Sequence, residues 1–214
     1  MGNKEERVVP VPAINRMPFY LAFVKSLKRA GKEYVSSTLI ADYMGIDSTQ
    51  VTKDLSYTDI VGKTRVGYEI DSFITILNDF LGFSKTDSAF LVGAGSLGSA
   101  LLHDTGLLHF GLDIDTAFDV DAYKIGQTVN NIEILHIDQF RDMAAAKNVK
   151  IGIISVPVAH AQSVADLMVA WGIKAIWNFT PSRLKVPEGI IVEDTMMYSN
   201  LAVLFNRLYR QENK

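Results

Sequence analysis

Cysteine is absent from the 214 residues, which removes disulfides, thiol catalysis and cysteine-based metal sites together and fits a reducing cytoplasm. A dominant charge is missing as well: 21 Lys and Arg face 24 Asp and Glu, for a net charge of −3, so nothing global advertises nucleic acid or an anionic membrane. No stretch approaches the roughly 18 apolar residues that a bilayer span requires. The charged start, M-G-N-K-E-E-R, has no apolar run behind it of the kind a secretory signal carries. A soluble cytoplasmic protein without a membrane partner is expected. The four histidines, His103, His109, His136 and His160, lack metal-ligand spacing, and of these only His160, shortly after Pro157, is placed to face a cofactor. Internal repeats and low-complexity segments are also missing. What is present is a 48% hydrophobic composition, enough for a substantial core in two domains.

Residues 90–98 read F-L-V-G-A-G-S-L-G, an apolar strand entering a G-x-G-x-x-G turn and then a helix pattern, the opening of a dinucleotide-binding βαβ unit. Gly93 permits the tight turn, Gly95 lets the backbone approach a pyrophosphate, and Gly98 lets the helix lie close on the sheet. The N–H groups around Ala94, Ser96 and Leu97 then face the phosphates with the positive end of the helix dipole. A second strand ends at Asp119, 21 residues after Gly98. A carboxylate there accepts hydrogen bonds from the adenosine ribose and repels a 2′-phosphate. Val120 and Asp121 follow it, Asp121 adds to the repulsion, and Lys124 is the nearest cation. NADH and NAD+ are therefore expected over their phosphorylated counterparts.

Roughly forty residues earlier the pattern differs. Apolar spacing predicts a helix over 18–30, ended by Gly31, and a second over 37–44 capped by Ser36 or Ser37, with Leu39, Ile40 and Tyr43 inward and Gly45 at its end. A third is predicted over 49–57, capped by Asp47 or Ser48, with Val51 and Leu55 inward and Gln50, Thr52 and Lys53 pointing elsewhere. Two short helices joined by G-I-D form a helix-turn-helix, whose last helix enters a DNA major groove. The segment 62–70, G-K-T-R-V-G-Y-E-I, predicts a β-hairpin wing carrying Lys63 and Arg65 toward phosphates, with Val66, Tyr68 and Ile70 alternating. Ser36, Ser37, Ser48, Thr49, Gln50, Thr52, Lys53, Lys63, Arg65 and Tyr68 are the candidate DNA contacts.

A fourth helix is expected over 71–81 and a hinge over 82–87. Beyond it, strands over 88–92, 114–120, 134–137, 149–155, 175–178 and 190–193 alternate with helices over 99–103, 138–147 and 159–171, predicting a doubly wound parallel sheet of Rossmann type. The expected architecture is α/β, with a winged-helix domain over 1–82, a Rossmann domain over 86–195 and a C-terminal helical segment over 196–214. In the helix expected over 200–209, Leu201, Leu204, Phe205 and Leu208 make one apolar stripe. It suits either the chain's own winged helix or a partner subunit, and a two-fold dimer would match paired DNA half-sites.

Several motifs in the same order resemble those of the Rex family of redox-sensing transcriptional repressors over nearly the whole chain. They are R-M-P-F-Y at 16–20, V-S-S at 35–37, D-S-x-x-V-x-K-D-L-S-Y at 47–57, G-A-G-S-L-G at 93–98, A-F-D-V-D at 117–121, K-I-G at 124–126, V-P at 156–157 and N-F-T-P-S-R-L-K-V-P at 178–187. The resemblance implies a homodimer that exchanges its C-terminal helix, binds operator DNA with NAD+ or no cofactor, and is released by NADH. It also implies that Ser155, Val156, Pro157, Asn178, Phe179 and Thr180 lie near the nicotinamide. Arg16 is implied to make the redox-switch contact between winged helix and cofactor domain. The chain departs from the family at Thr52-Lys53, where a basic pair is usual, at Thr58-Asp59, where an aromatic-glycine pair is usual, at Asp104, where a tyrosine is expected, and near Met196, where an acid is expected.

Two other readings compete. An NAD-dependent oxidoreductase would need a substrate domain and an acid–base pair, and the chain has no segment left to supply that domain. An NAD(H)-binding relative with weakened DNA affinity draws support from residues 1–82, where ten basic side chains meet ten acidic ones, because phosphate contacts supply most nonspecific affinity.

Overall fold

Proline sets where the first helix begins. In the computed structural model, which describes residues 8–195 and 197–212, α1 spans Val11–Arg29 with Pro10 at its N-cap and a further proline in its first turn, where a missing N–H is tolerated. The helix expected over 18–30 thus starts earlier. Pro18 lies within it, because Ala13 and Met17 upstream are buried in the same core and outweigh one lost backbone bond. After β1, Tyr34–Val35, comes α2, Ser37–Met44, capped by the Ser36 hydroxyl, which accepts from the Leu39 N–H, and closed by Gly45 in the left-handed region. Helix α3, Ser48–Leu55, follows the Asp47 cap. Val51 and Leu55 are buried as expected. Leu39 and Tyr43 are not: both are exposed, and Ala41 joins the expected Ile40 in the core. Tyr43 stacks on Phe23 of α1 from outside, with ring centroids 4.1 Å apart.

The wing is tighter than the hairpin expected over 62–70. A single bridge between Lys63 and Gly67 closes it, and its return strand β2, Tyr68–Glu69, pairs antiparallel with β1. Gly67 sits at φ +102°, where a Cβ would stand 2.4 Å from the Val35 carbonyl oxygen, so this approach requires glycine. Ile70 starts α4, Ile70–Phe80, capped by the Glu69 carboxylate. Tyr20, Leu21, Val24, Ile40, Val51, Leu55, Phe73 and Leu77 close one core over these helices.

A second compact unit begins at Thr86, inside the expected hinge. Its strands are β3 (Asp87–Val92), β4 (Leu112–Asp119), β5 (Thr128–Val129), β6 (Ile132–His136), β7 (Ile151–Ile154), β8 (Ala175–Asn178) and β9 (Ile191–Asp194). They form one sheet in the order β5-β6-β4-β3-β7-β8-β9. All neighbours are parallel except the edge pair β5 and β6, so the doubly wound sheet gains one short antiparallel strand. Helices α5 (Ser96–His103), α6 (Gly106–His109), α7 (Phe140–Lys147) and α8 (Val158–Ala170) connect it. Two apolar clusters result, one around Phe90, Phe118 and Phe140, the other around Leu91, Leu102 and Ile153. From β3 the chain goes first to β4 on one side and later to β7 on the other, so a crevice opens at the carboxyl ends of these strands.

Helix α9 spans Met197–Glu212, longer than the expected 200–209, and is exposed along its described length. Met196 lies outside the described residues. Among the described residues no helix is long and apolar enough to cross a membrane.

Phe140 is fully buried against Phe90, Phe118 and Trp171, with centroids 4.9–5.3 Å apart. Replacing Phe140 by alanine should cost about 3–5 kcal/mol of stability. Both tryptophans lie in this unit, so urea unfolding followed by tryptophan fluorescence reads the change directly, and a loss below about 1 kcal/mol would contradict this packing.

Candidate functional site

The crevice is built on backbone that cannot carry side chains. Gly93 leaves β3 at φ +101°, and a Cβ on it would meet the Ser155 carbonyl oxygen at 2.6 Å. A Cβ on Gly98 would stand 2.0 Å from the Gly93 carbonyl oxygen. The helix therefore lies as close to the strand as the motif suggested. Gly95 differs: nothing lies within 4 Å of its Cβ position, so the space above this N-cap of α5 is open to a ligand. The Ser155 hydroxyl donates to the Gly93 carbonyl at 2.8 Å and braces the turn from β7. Ser96 is exposed at the first position of α5 and Leu97 is half-buried behind it.

Asp119 closes the turn from β4. It is 8% exposed, and Oδ2 accepts from the Ala94 N–H and Lys124 Nζ while Oδ1 accepts from the N–H groups of Val120 and Asp121. Burial pushes its carboxyl up, but the N–H of Asp121, Lys124 and the N–H groups of Ala94 and Val120 outweigh this and hold it below the usual carboxylate range. Lys124 also lies 3.6 Å from Asp121, and Asp119, followed by Asp121, raises its pKa. Of the four donors on Asp119 only Lys124 is a side chain and can be exchanged for a ribose hydroxyl. Asp121, half-buried beside it, is the less committed acceptor.

A cavity of about 510 Å³ lies over this turn, lined by Gly93, Gly95, Asp119, Val120, Lys124, Ser155, Val156, Pro157 and His160. Val92, Ile137, Ser163, Val164 and Leu167 line it too. Sequence reasoning missed these five: Val92 is the last residue of β3, Ile137 follows β6, and the inward face of α8 reads as core; for α8 the signal was available in Pro157, which starts that helix at the mouth of the crevice. Asn178, Phe179 and Thr180 do not line it. Asn178 is fully buried; its Nδ2 donates to the Ser182 carbonyl and Asp194, and its Oδ1 accepts from the Thr180 N–H and hydroxyl. These residues shape the turn after β8. Asp104 caps the end of α5 and accepts from the Gly106 N–H. Among the described residues no cluster could hold a metal ion.

In the first unit, Ser36, Ser37, Lys63, Arg65 and Tyr68 line one shallow surface cavity of about 390 Å³. Lys63 lies over the Tyr34 ring and donates to its hydroxyl at 3.3 Å, and Arg65 is exposed with φ +63°. On α3, Thr49, Thr52 and Lys53 are exposed, Ser48 and Gln50 half-buried. Behind them Arg16 makes a two-pronged ion pair with buried Asp54, at 2.7 and 2.8 Å. Tyr20 and Gln50 also donate to this carboxylate. Burial pushes Asp54 up, yet Arg16, Tyr20 and Gln50 together hold it below its ordinary value, and its bond to Arg16 raises the guanidinium pKa.

Replacing Asp119 by alanine leaves the buried Ala94 N–H without an acceptor and should cost about 1–3 kcal/mol. Because the folded carboxyl titrates below its unfolded value, the stabilisation is complete above the unfolded pKa of about 4 and disappears as pH falls through the folded one. Denaturation of wild type and variant between pH 7 and pH 3 should show the gap closing on acidification; a constant gap would contradict the assignment.

Two family models match the chain: a DNA-binding protein N-terminus over residues 8–56 and a CoA binding domain over residues 84–182. The redox-sensing transcriptional repressor Rex of Bacteroides fragilis is 53% identical, over 96% of this chain and 94% of its own. That of Bacillus subtilis is 36% identical over 88% and 86%. Among solved structures, RSP in complex with beta-NAD+ and operator DNA is similar with a TM-score of 0.91 and 31% identity, over 96% of this chain and 94% of that one. RSP in complex with beta-NADH has a TM-score of 0.86 at 30% identity, over 96% of each chain. With both modules present and the likeness running nearly end to end, this chain belongs to the Rex family of redox-sensing transcriptional repressors.

Proposed function

We propose that the chain is a redox-sensing repressor that binds operator DNA as a cytoplasmic homodimer and leaves it when NADH occupies the crevice of the second unit. The carrying observation is Gly95: of the three turn glycines it alone has open space at its Cβ position, at the N-terminus of a helix where N–H groups and the dipole favour a pyrophosphate. The nucleotide, when bound, supplies a nicotinamide whose redox state is the signal. The chain's part is to hold it: Gly95 and Ser96 at the phosphates, Asp121 and Asp119 at the adenosine ribose, and Val156, Pro157 and His160 along the cavity wall. Two carboxylates at the ribose end disfavour a 2′- or 3′-phosphate, which argues for NADH and NAD+ over NADPH or coenzyme A. RSP, solved with beta-NAD+ and operator DNA and separately with beta-NADH, supports the same pair of ligands.

The DNA face is assigned to Ser36, Ser37, α3 and the wing, with Lys53, Lys63 and Arg65 toward phosphates. Arg16 gives two N–H donors to Asp54 and retains three for another acceptor, which fits the switch role that the family resemblance implies for it. The apolar residues of α9, Leu201, Leu204, Phe205 and Leu208, each more than two-fifths exposed, are assigned to the partner subunit. The charge balance of residues 1–82 favours one alternative, a relative that has lost operator affinity, and the same experiment separates the two.

Titrating the complex of purified protein and operator duplex with NADH and NAD+ should release DNA at lower NADH than NAD+; no difference between them would remove the sensing half. Gly95→Val should fold as wild type, because its site is open and its φ of −75° suits any residue, yet lose NADH binding at least tenfold, about 1.4 kcal/mol. Wild-type NADH affinity in Gly95→Val would refute the assigned site.

A further inference from the structure

We propose that Asp54 is a positioning residue for DNA reading: it fixes the side-chain amide of Gln50 so that the Gln50 carbonyl oxygen and second N–H are left for a base edge. This rests on the DNA-binding reading above. Asp54 is fully buried, and both its oxygens are engaged. Oδ2 accepts from Arg16 Nε and from the Tyr20 hydroxyl, each at 2.7 Å, and Oδ1 accepts from Arg16 Nη2 and from Gln50 Nε2, each at 2.8 Å.

An ionised carboxylate can only accept, so the Gln50 amide must present nitrogen to it. A flipped amide would set oxygen against oxygen. Asp54 in turn cannot rotate away, because the planar guanidinium grips both its oxygens. The orientation of Gln50 on α3 is thereby imposed by two side chains of α1.

Neutralising Arg16 would not require Gln50 at all, so the third side chain in the cluster points to recognition. The neighbours on α3 leave it that task. Thr49 donates its hydroxyl proton to the Asp47 carboxylate and Thr52 donates to the Ser48 carbonyl. Lys53 is a point charge suited to phosphate. Gln50 is the one amide on the helix, and an oriented amide with one oxygen and one N–H available matches the N6 donor and N7 acceptor of adenine in the major groove.

The test is selection of bound sequences from a randomised duplex library by the full-length protein. Compared are wild type, Gln50→Ala, Asp54→Ala and the triple variant Arg16→Met/Tyr20→Phe/Asp54→Leu, which replaces the buried cluster by apolar groups of similar size and keeps the fold if Asp54→Ala does not. Wild type should select adenine at one position of each half-site. Gln50→Ala and both Asp54 variants should lose that preference by about tenfold at the same position, with selection elsewhere unchanged. Retention of the adenine preference without Asp54, or an equal loss of affinity for all sequences, would overturn the positioning role while leaving DNA binding intact. No selected sequence from wild type would overturn the DNA-binding reading as well.

Discussion

The crevice at the carboxyl ends of β3, β4 and β7 depends on one contact, the Gly93 carbonyl against the Cα of Gly98. That approach leaves 2.0 Å for a Cβ, so α5 lies against β3 only because residue 98 has none. It brings the helix N-terminus to the mouth of the crevice. Two neighbouring strands then lock the turn: the Ser155 hydroxyl holds the Gly93 carbonyl and the Asp119 carboxylate holds the Ala94 N–H. With its own carbonyls and N–H groups engaged at the base of the loop, the turn leaves Gly95 and the first residues of α5 as the surface a ligand can meet.

Each module is organised around one buried acid, and the two are satisfied differently. Asp119 takes three of its four hydrogen bonds from backbone N–H groups, so the nucleotide turn keeps its shape through changes in most surrounding side chains. Asp54 takes all of its bonds from side chains, those of Arg16, Tyr20 and Gln50. The placement of α3 is therefore set by residue identities rather than by backbone.

The nucleotide turn was legible because glycine spacing states a steric demand that few other arrangements make. Helices α2 and α3 were legible for a similar reason: Ser36 and Asp47 are caps whose chemistry marks a boundary, and Gly45 marks an end. Four features were hidden. Strand β1 has two residues, too few to show a period, and its partner β2 is the return strand of the wing, far along the chain. Helix α1 runs through Pro18 because long-range burial of Met17 decides the matter, and no local signal reports that. Asn178 and Thr180 are placed near the nicotinamide by the family resemblance, whereas their hydrogen bonds turn inward to each other and to Asp194. The Arg16–Asp54 pair joins residues 38 apart and has no local signature at all.

Amide hydrogen exchange over residues 93–98, measured on the operator-bound protein before and after addition of NADH, addresses the central claim most directly. The account predicts slowed exchange at Gly95, Ser96 and Leu97 as the duplex dissociates, with Ala94 already slow in both states because Asp119 holds it. Dissociation of the duplex with exchange at these three amides unchanged would contradict it.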